Sequence, residues 1–131
     1  MTLGVRGMAF DPDGRVLLVR HSYSPGWHLP GGGVEHAETA ETALIREMAE
    51  EGGVRVDRAE LVGVFSNHQN FRNDHVLVYR VAAWTACAPA GGGEIAERGW
   101  FAPTSLPADA TSGTRRRLAE ALDGAPRDPH W

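Results

Sequence analysis

Glu47, Glu50 and Glu51 are the residues of this chain whose type and spacing carry chemistry most directly. They belong to the run Arg46-Glu47-Met48-Ala49-Glu50-Glu51. On a helix, residues three and four apart share a face, so the three carboxylates project together while Met48 points away from them. Each like-charged pair on such a face costs roughly 0.2–0.5 kcal/mol even when exposed. Arg46 reaches Glu50 at i+4, but one cation cannot neutralise three anions. Ligands that offer only oxygen select hard cations, which points to Mg²⁺ or Mn²⁺, and two ions suit the charge better than one. A Mg²⁺ site keeps waters and takes its remaining ligands from substrate phosphates, and the cation also activates water. Gly31-Gly32-Gly33 lies just ahead of the acids, where a backbone carbonyl from this loop could complete a metal shell. Most Glu-rich helices are merely solvated faces, and most glycine runs are merely turns. It is the joint spacing of acids and glycines that sets this segment apart.

The elements that position these residues can be read from periodicity and punctuation. The helix is expected over 40–52, with Thr39 as N-cap and Gly52-Gly53 as its stop. Ala40, Leu44 and Met48, with Ala43 beside them, form its apolar stripe. Before it, 5–10 and 15–20 read as strands joined by the tight turn Asp11-Pro-Asp-Gly14, an antiparallel hairpin. Residues 22–33 form a loop apart from a short strand at 27–29. After the helix, 61–66 and 75–83 read as strands, 88–93 as a loop and 100–101 as a short strand. Residues 114–122 form a second helix with Leu118 and Leu122 buried, followed by a loose Pro-rich tail over 124–131. Strands outnumber helices, and a mixed α+β sandwich is the simplest arrangement.

With 131 residues the chain suits one domain, 1–131, with a core large enough to need no disulfide. The single cysteine, Cys87, the absence of a signal-like N-terminus and the lack of any apolar run near the ~20 residues of a membrane span favour a cytoplasmic protein without membrane contact. A net charge of −4 argues against tracking long nucleic acids, but not against a small polyphosphate whose cation screens the carboxylates. The six histidines show no zinc-type spacing. Arg115-Arg116-Arg117 reads as a solvated basic face.

Gly32-x5-Glu38-x7-Arg46-Glu47-Met48-x-Glu50-Glu51-x-Gly53-Val54 resembles the Nudix hydrolase signature at every fixed position, over residues 32–54. The resemblance implies a mixed β-sheet between helices, an α/β/α sandwich, with the signature as a loop–helix–loop. It implies hydrolysis of a phosphoanhydride bond in a nucleoside diphosphate linked to another moiety, with Mg²⁺ or Mn²⁺ as cofactor. ADP-ribose-like compounds, dinucleoside polyphosphates and nucleoside triphosphates all remain open. By position, Glu47, Glu50 and Glu51 correspond to the metal ligands, and Gly31 or Gly32 to a carbonyl ligand. Arg46 corresponds to the residue that orients a catalytic glutamate, and Glu38 to its supporting partner. The general base varies within the family. A glutamate ahead of Trp100 is the candidate, Glu94 in preference to Glu97. Members often dimerise, so a homodimer is compatible with the resemblance.

Outside the signature, Tyr23 and Phe71 are the aromatics in polar loops suited to a nucleobase, and Arg20 is a candidate for phosphate, as are Arg6 and Arg72. Two other readings compete. A non-catalytic nucleotide sensor on the same fold has no need of the metal-binding glutamates, which this chain keeps. An isoprenoid diphosphate isomerase needs a reactive cysteine, and Cys87 lies far in sequence from the acids.

Overall fold

Along the chain run strand β1 (Thr2–Met8), strand β2 (Val16–His21), strand β3 (Gly31–Gly33), helix α1 (Ala40–Gly52), strands β4 (Val54–Ser66), β5 (Asp74–Ala86) and β6 (Ile95–Phe101), a 3-10 turn at Pro103–Ser105 and helix α2 (Ser112–Asp123). The computed structural model describes residues 1–89 and 95–131, residue 96 by its backbone alone.

α1 has the expected limits and the expected causes. Thr39 caps its start, the hydroxyl accepting the N–H of Thr42, and Gly53 ends it at φ 66° with its N–H on the Met48 carbonyl. Ala43, Leu44 and Met48 are fully buried. Burial of Leu44 and of Met48 each stabilises the docked helix by about 1.5–3 kcal/mol.

β1 lies inside a mixed four-stranded sheet of order β3-β1-β5-β4, antiparallel to β3 and parallel to β5. β2 pairs instead with β6 in a separate ribbon. The two cores lie on opposite sides of the strands. Val5, Leu17, Tyr79 and Val81 pack on α1, whereas Met8, Leu18, Val76 and Val78 share a core with Leu118 of α2. This is the expected sheet layer between helices.

Several local expectations are corrected. The Asp11–Gly14 turn forms, but the hairpin ends almost at once: beyond the Phe10–Val16 bridge and the bond from Leu17 N to Ala9 O, β1 and β2 part. β3 and β5 already occupy both edges of β1, leaving β2 to find β6. The short strand of the first loop is Gly31–Gly33, while Trp27 and His28 make only isolated bridges. β4, β5 and β6 are longer than the periodicity indicated. Part of the expected 88–93 loop lies outside the described residues.

Leu122 is exposed, so Leu118 alone anchors that stripe. The arginine run is not a solvated face either. Arg117 is 1% exposed, its guanidinium 3.7 Å above the Phe65 ring and bonded to Glu120, while Arg115 and Arg116 donate to backbone carbonyls. The tail is docked rather than loose. Ser66 exchanges backbone bonds with Pro129 and Trp131, and Trp131 packs against the core.

Candidate active site

The three acids sit on α1, Glu47 and Glu51 against β3, and burial grades them. Glu51 is 8% exposed, Glu47 is partly buried, and the Glu50 side chain is 40% exposed. Both oxygens of Glu51 are held. Oε1 accepts the N–H of Gly31 at 2.9 Å, and Oε2 lies 3.1 Å from Nε2 of His21. An ionised carboxylate can only accept, so Nε2 of His21 carries the proton in that contact. Tyr23 stacks on His21 at 5.1 Å between ring centroids. Arg98 Nε donates to the Glu51 carbonyl at 2.6 Å, tying the end of α1 to β6.

Arg46 organises the other side. Its Nε and Nη2 bind the two oxygens of Glu38 at 2.8 and 3.0 Å, Nη1 binds Glu47 at 2.8 Å, and Nη2 reaches the Gly33 carbonyl at 3.2 Å. Those bonds, with the Glu35 N–H, hold the Glu38 carboxyl down at about 2. Glu38 in turn is the main cause raising the Arg46 guanidinium above its usual value. Glu47 moves the opposite way: burial, then the neighbouring Glu51, raise its pKa against the pull of Arg46. The Arg46–Glu38 pair is the one the resemblance implies, whereas the i+4 pairing of Arg46 with Glu50 is the weaker contact, at 3.5 Å, because Glu47 takes Nη1 at 2.8 Å.

Whether these residues suit a divalent cation is a matter of donors and room. The Glu47 carboxylate lies so close to the Gly32 backbone that a Cβ there would stand 2.5 Å from Oε1, so glycine lets strand and acid come together where any side chain would push the carboxylate away. The donors are all oxygen, as Mg²⁺ and Mn²⁺ prefer. Among the described residues the acids do not converge on one point. Glu47 is turned to Arg46 and Glu51 to His21 and Gly31. Burial, and after it the neighbouring Glu51, disfavour the charge on Glu47, and a cation would offset both. The residues fit the ion.

The strand ladder separates the two candidate carbonyls. Gly7 N bonds Pro30 O, and Val34 N bonds Leu3 O. With Val5 opposite Gly32, alternation along the ladder turns the Gly32 carbonyl toward β1. Gly31 and Gly33 therefore present their polar groups to α1, as the Gly31 bond to Glu51 and the Gly33 bond from Arg46 confirm.

The expected substrate residues divide between two places. Phe71 lines a cleft of about 460 Å³ with Gly4, Arg6, Gly32, Asp74 and Trp131. Tyr23 and Arg20 line a different cavity, about 440 Å³, beside His21 and Asp109. Arg20 is ion-paired with Glu97 and lies over Trp27. Glu97 is thus committed to Arg20, and Glu94 lies outside the described residues. Sequence reasoning missed His21, Arg98 and Trp131. The first ends β2, with Arg20 between it and the apolar run, and nothing in its spacing ties it to Glu51, 30 positions away.

The NUDIX domain family model matches residues 2–122. A MutT-like protein of Streptomyces ambofaciens is 37% identical, covering 98% of this chain and 80% of its own. A putative 8-oxo-dGTP diphosphatase of Bacillus subtilis is 29% identical over 95% of this chain and 82% of its own. The crystal structure of a MutT NUDIX hydrolase from Burkholderia pseudomallei superposes with a TM-score of 0.77 at 31% identity, covering 92% of this chain and 98% of that one. With the signature complete and its helix set against the glycine strand, the chain belongs to the Nudix hydrolase family and is a hydrolase of pyrophosphate bonds.

Proposed function

We propose that this chain is a Mg²⁺- or Mn²⁺-dependent nucleotide pyrophosphohydrolase whose substrate lies in the cleft beside β3. The observation that carries this reading is the adjacency of two features. The acids of α1 abut the glycine strand, and Gly32 and Gly33 of that strand also line a nucleotide-sized cleft walled by Phe71 and Trp131.

Glu47, Glu50, Glu51 and the Gly31 carbonyl are the residues that would hold the ion. When bound, the cation neutralises phosphate charge and makes water a better nucleophile. The chain's own residues do the rest. His21 and the Gly31 N–H fix the Glu51 carboxylate, and Arg46, braced by Glu38, fixes Glu47. Glu50, the most exposed of the three, is free to turn toward a reacting water. Glu94 remains the alternative proton acceptor. Phe71 and Trp131 offer flat faces to a base. The resemblance to a MutT-like protein and to a putative 8-oxo-dGTP diphosphatase makes oxidised and normal deoxynucleoside triphosphates the first substrates to try, ahead of ADP-ribose and dinucleoside polyphosphates.

The test is a panel of those compounds, each with Mg²⁺, Mn²⁺ or EDTA, reading release of phosphate, pyrophosphate or nucleoside monophosphate. Turnover with either metal and none in EDTA is expected. Glu51→Gln and Glu50→Gln should lower kcat by orders of magnitude while melting like wild type, and Glu94→Gln decides whether that residue takes the proton. Metal-independent turnover, or wild-type rates in both glutamate variants of the signature, would overturn the assignment.

A further inference from the structure

We propose that Arg6 is the anion-binding residue of the cleft floor, taking a phosphate of the substrate on the side of β3 away from the acids. The inference rests on the pyrophosphate-cleaving reading and extends it to a residue outside the signature.

Arg6 lies on β1 directly opposite Gly31, the residue whose N–H holds Glu51. It lines the 460 Å³ cleft, and also a second volume of about 490 Å³ that opens from the same walls toward the start of α2. Arg6, Asn67, Phe71 and Trp131 are common to both volumes, so the guanidinium stands where they meet.

Most other arginines near the site are committed: Arg46 is paired with Glu38 and Glu47, Arg20 with Glu97, and Arg98 with the Glu51 carbonyl. Arg72 also lines the cleft, but on its exposed rim, whereas Arg6 is partly buried in the floor. Arg6 gives Nη1 to the Leu29 carbonyl at 2.8 Å, and among the described residues no carboxylate makes an ion pair with it. A guanidinium has five N–H donors in a planar fork shaped for phosphate. Burial is the largest influence on this one and works against its charge, with Glu51, Tyr23, Glu47 and Asp74 pulling the other way. A cation kept in such a place without a carboxylate of its own destabilises the fold unless a ligand anion completes it. A diphosphate beside the acids of α1 would be gripped from two sides, by cation and carboxylates on one and by a fixed fork on the other.

The probe is inorganic pyrophosphate titrated calorimetrically in EDTA, where no metal can hold it. Wild type should bind it, and pyrophosphate should raise the wild-type melting temperature. Arg6→Gln should weaken binding about 10- to 100-fold and abolish the thermal shift. Arg6→Lys, which keeps the charge without the fork, should fall between the two and serves as the folded control if Arg6→Gln is unstable. On the nucleotide that wild type turns over, both variants should raise KM more than they lower kcat. A purely structural arginine predicts the reverse, a lower melting temperature with pyrophosphate binding intact, and that result overturns the proposal. So does failure of wild type to bind pyrophosphate without metal. Nucleotide turnover by wild type tests the pyrophosphohydrolase reading separately, since it does not depend on metal-free binding.

Discussion

Alanine placed in turn at Gly31, Gly32 and Gly33 should give three different outcomes, although the residues are consecutive and identical. At Gly32 the new Cβ would stand 2.5 Å from Glu47 Oε1, and ordinary contact begins near 3.4 Å. The obstacle is the end of a flexible side chain, so the backbone stays and the carboxylate retreats by about 0.9 Å. Its 2.8 Å bond to Arg46 then lengthens toward or beyond hydrogen-bond range. One partly exposed charge-assisted bond is worth about 1–2 kcal/mol, so the fold survives with a modest loss. A misplacement near 1 Å at a catalytic group, however, costs about 10²-fold in rate.

At Gly33 a Cβ meets nothing within 4 Å, and activity and stability should stay near wild type. At Gly31 it would lie 1.9 Å from the Val5 carbonyl oxygen, a backbone atom that cannot step aside, so pairing of β1 with β3 breaks. That should destabilise by roughly 3 kcal/mol or more. Steady-state kinetics, calorimetric Mn²⁺ titration and thermal melts of the three variants provide the check. The reasoning fails if Gly32→Ala turns over like wild type with unchanged Mn²⁺ affinity, or if Gly33→Ala is the more damaged of the two.

Glu38 titrates at about 2 rather than in the usual carboxylate range, so its bonds to Arg46 add stability above the unfolded value. That contribution is lost as pH falls from there through about 2. Melts from pH 6 to 2 should show Glu38→Gln converging on wild type at the acid end and lying below it at neutral pH. Arg117→Met leaves Glu120 buried without its partner and should destabilise by about 3–5 kcal/mol, whereas adding Glu120→Met should recover much of that, as a double-mutant cycle in urea would measure. Trp131→Ala uncovers Arg117 and removes one cleft wall. It should lower stability by about 1–3 kcal/mol and raise KM for nucleotides, read by melts and kinetics on the same preparation.

Legibility followed distance along the chain. α1, its cap at Thr39, its stop at Gly53 and its buried stripe were all predictable, because each depends on neighbours within about four residues. The signature acids were predictable for the same reason. The hairpin was misjudged because a tight turn fixes only its own residues, and the partners of β1 and β2 come from elsewhere in the chain. The arginine run was misjudged because its charges are satisfied by carbonyls of the tail and the preceding loop and by a phenylalanine face, which no local pattern announces. The tail looked loose because it is rich in proline and polar residues, yet a single tryptophan supplies enough apolar surface to dock it.

From sequence alone, then, came the acids at helical spacing behind a glycine run, and with them the family. Tertiary structure alone decided which carbonyl faces the acids, that His21 grips Glu51, and that Phe71, Trp131 and Arg6 share a cleft while Tyr23 and Arg20 line another. The physical reason is that helical geometry converts adjacency in sequence into adjacency in space, whereas strand pairing and packing join residues tens of positions apart through contacts made only when the whole core closes.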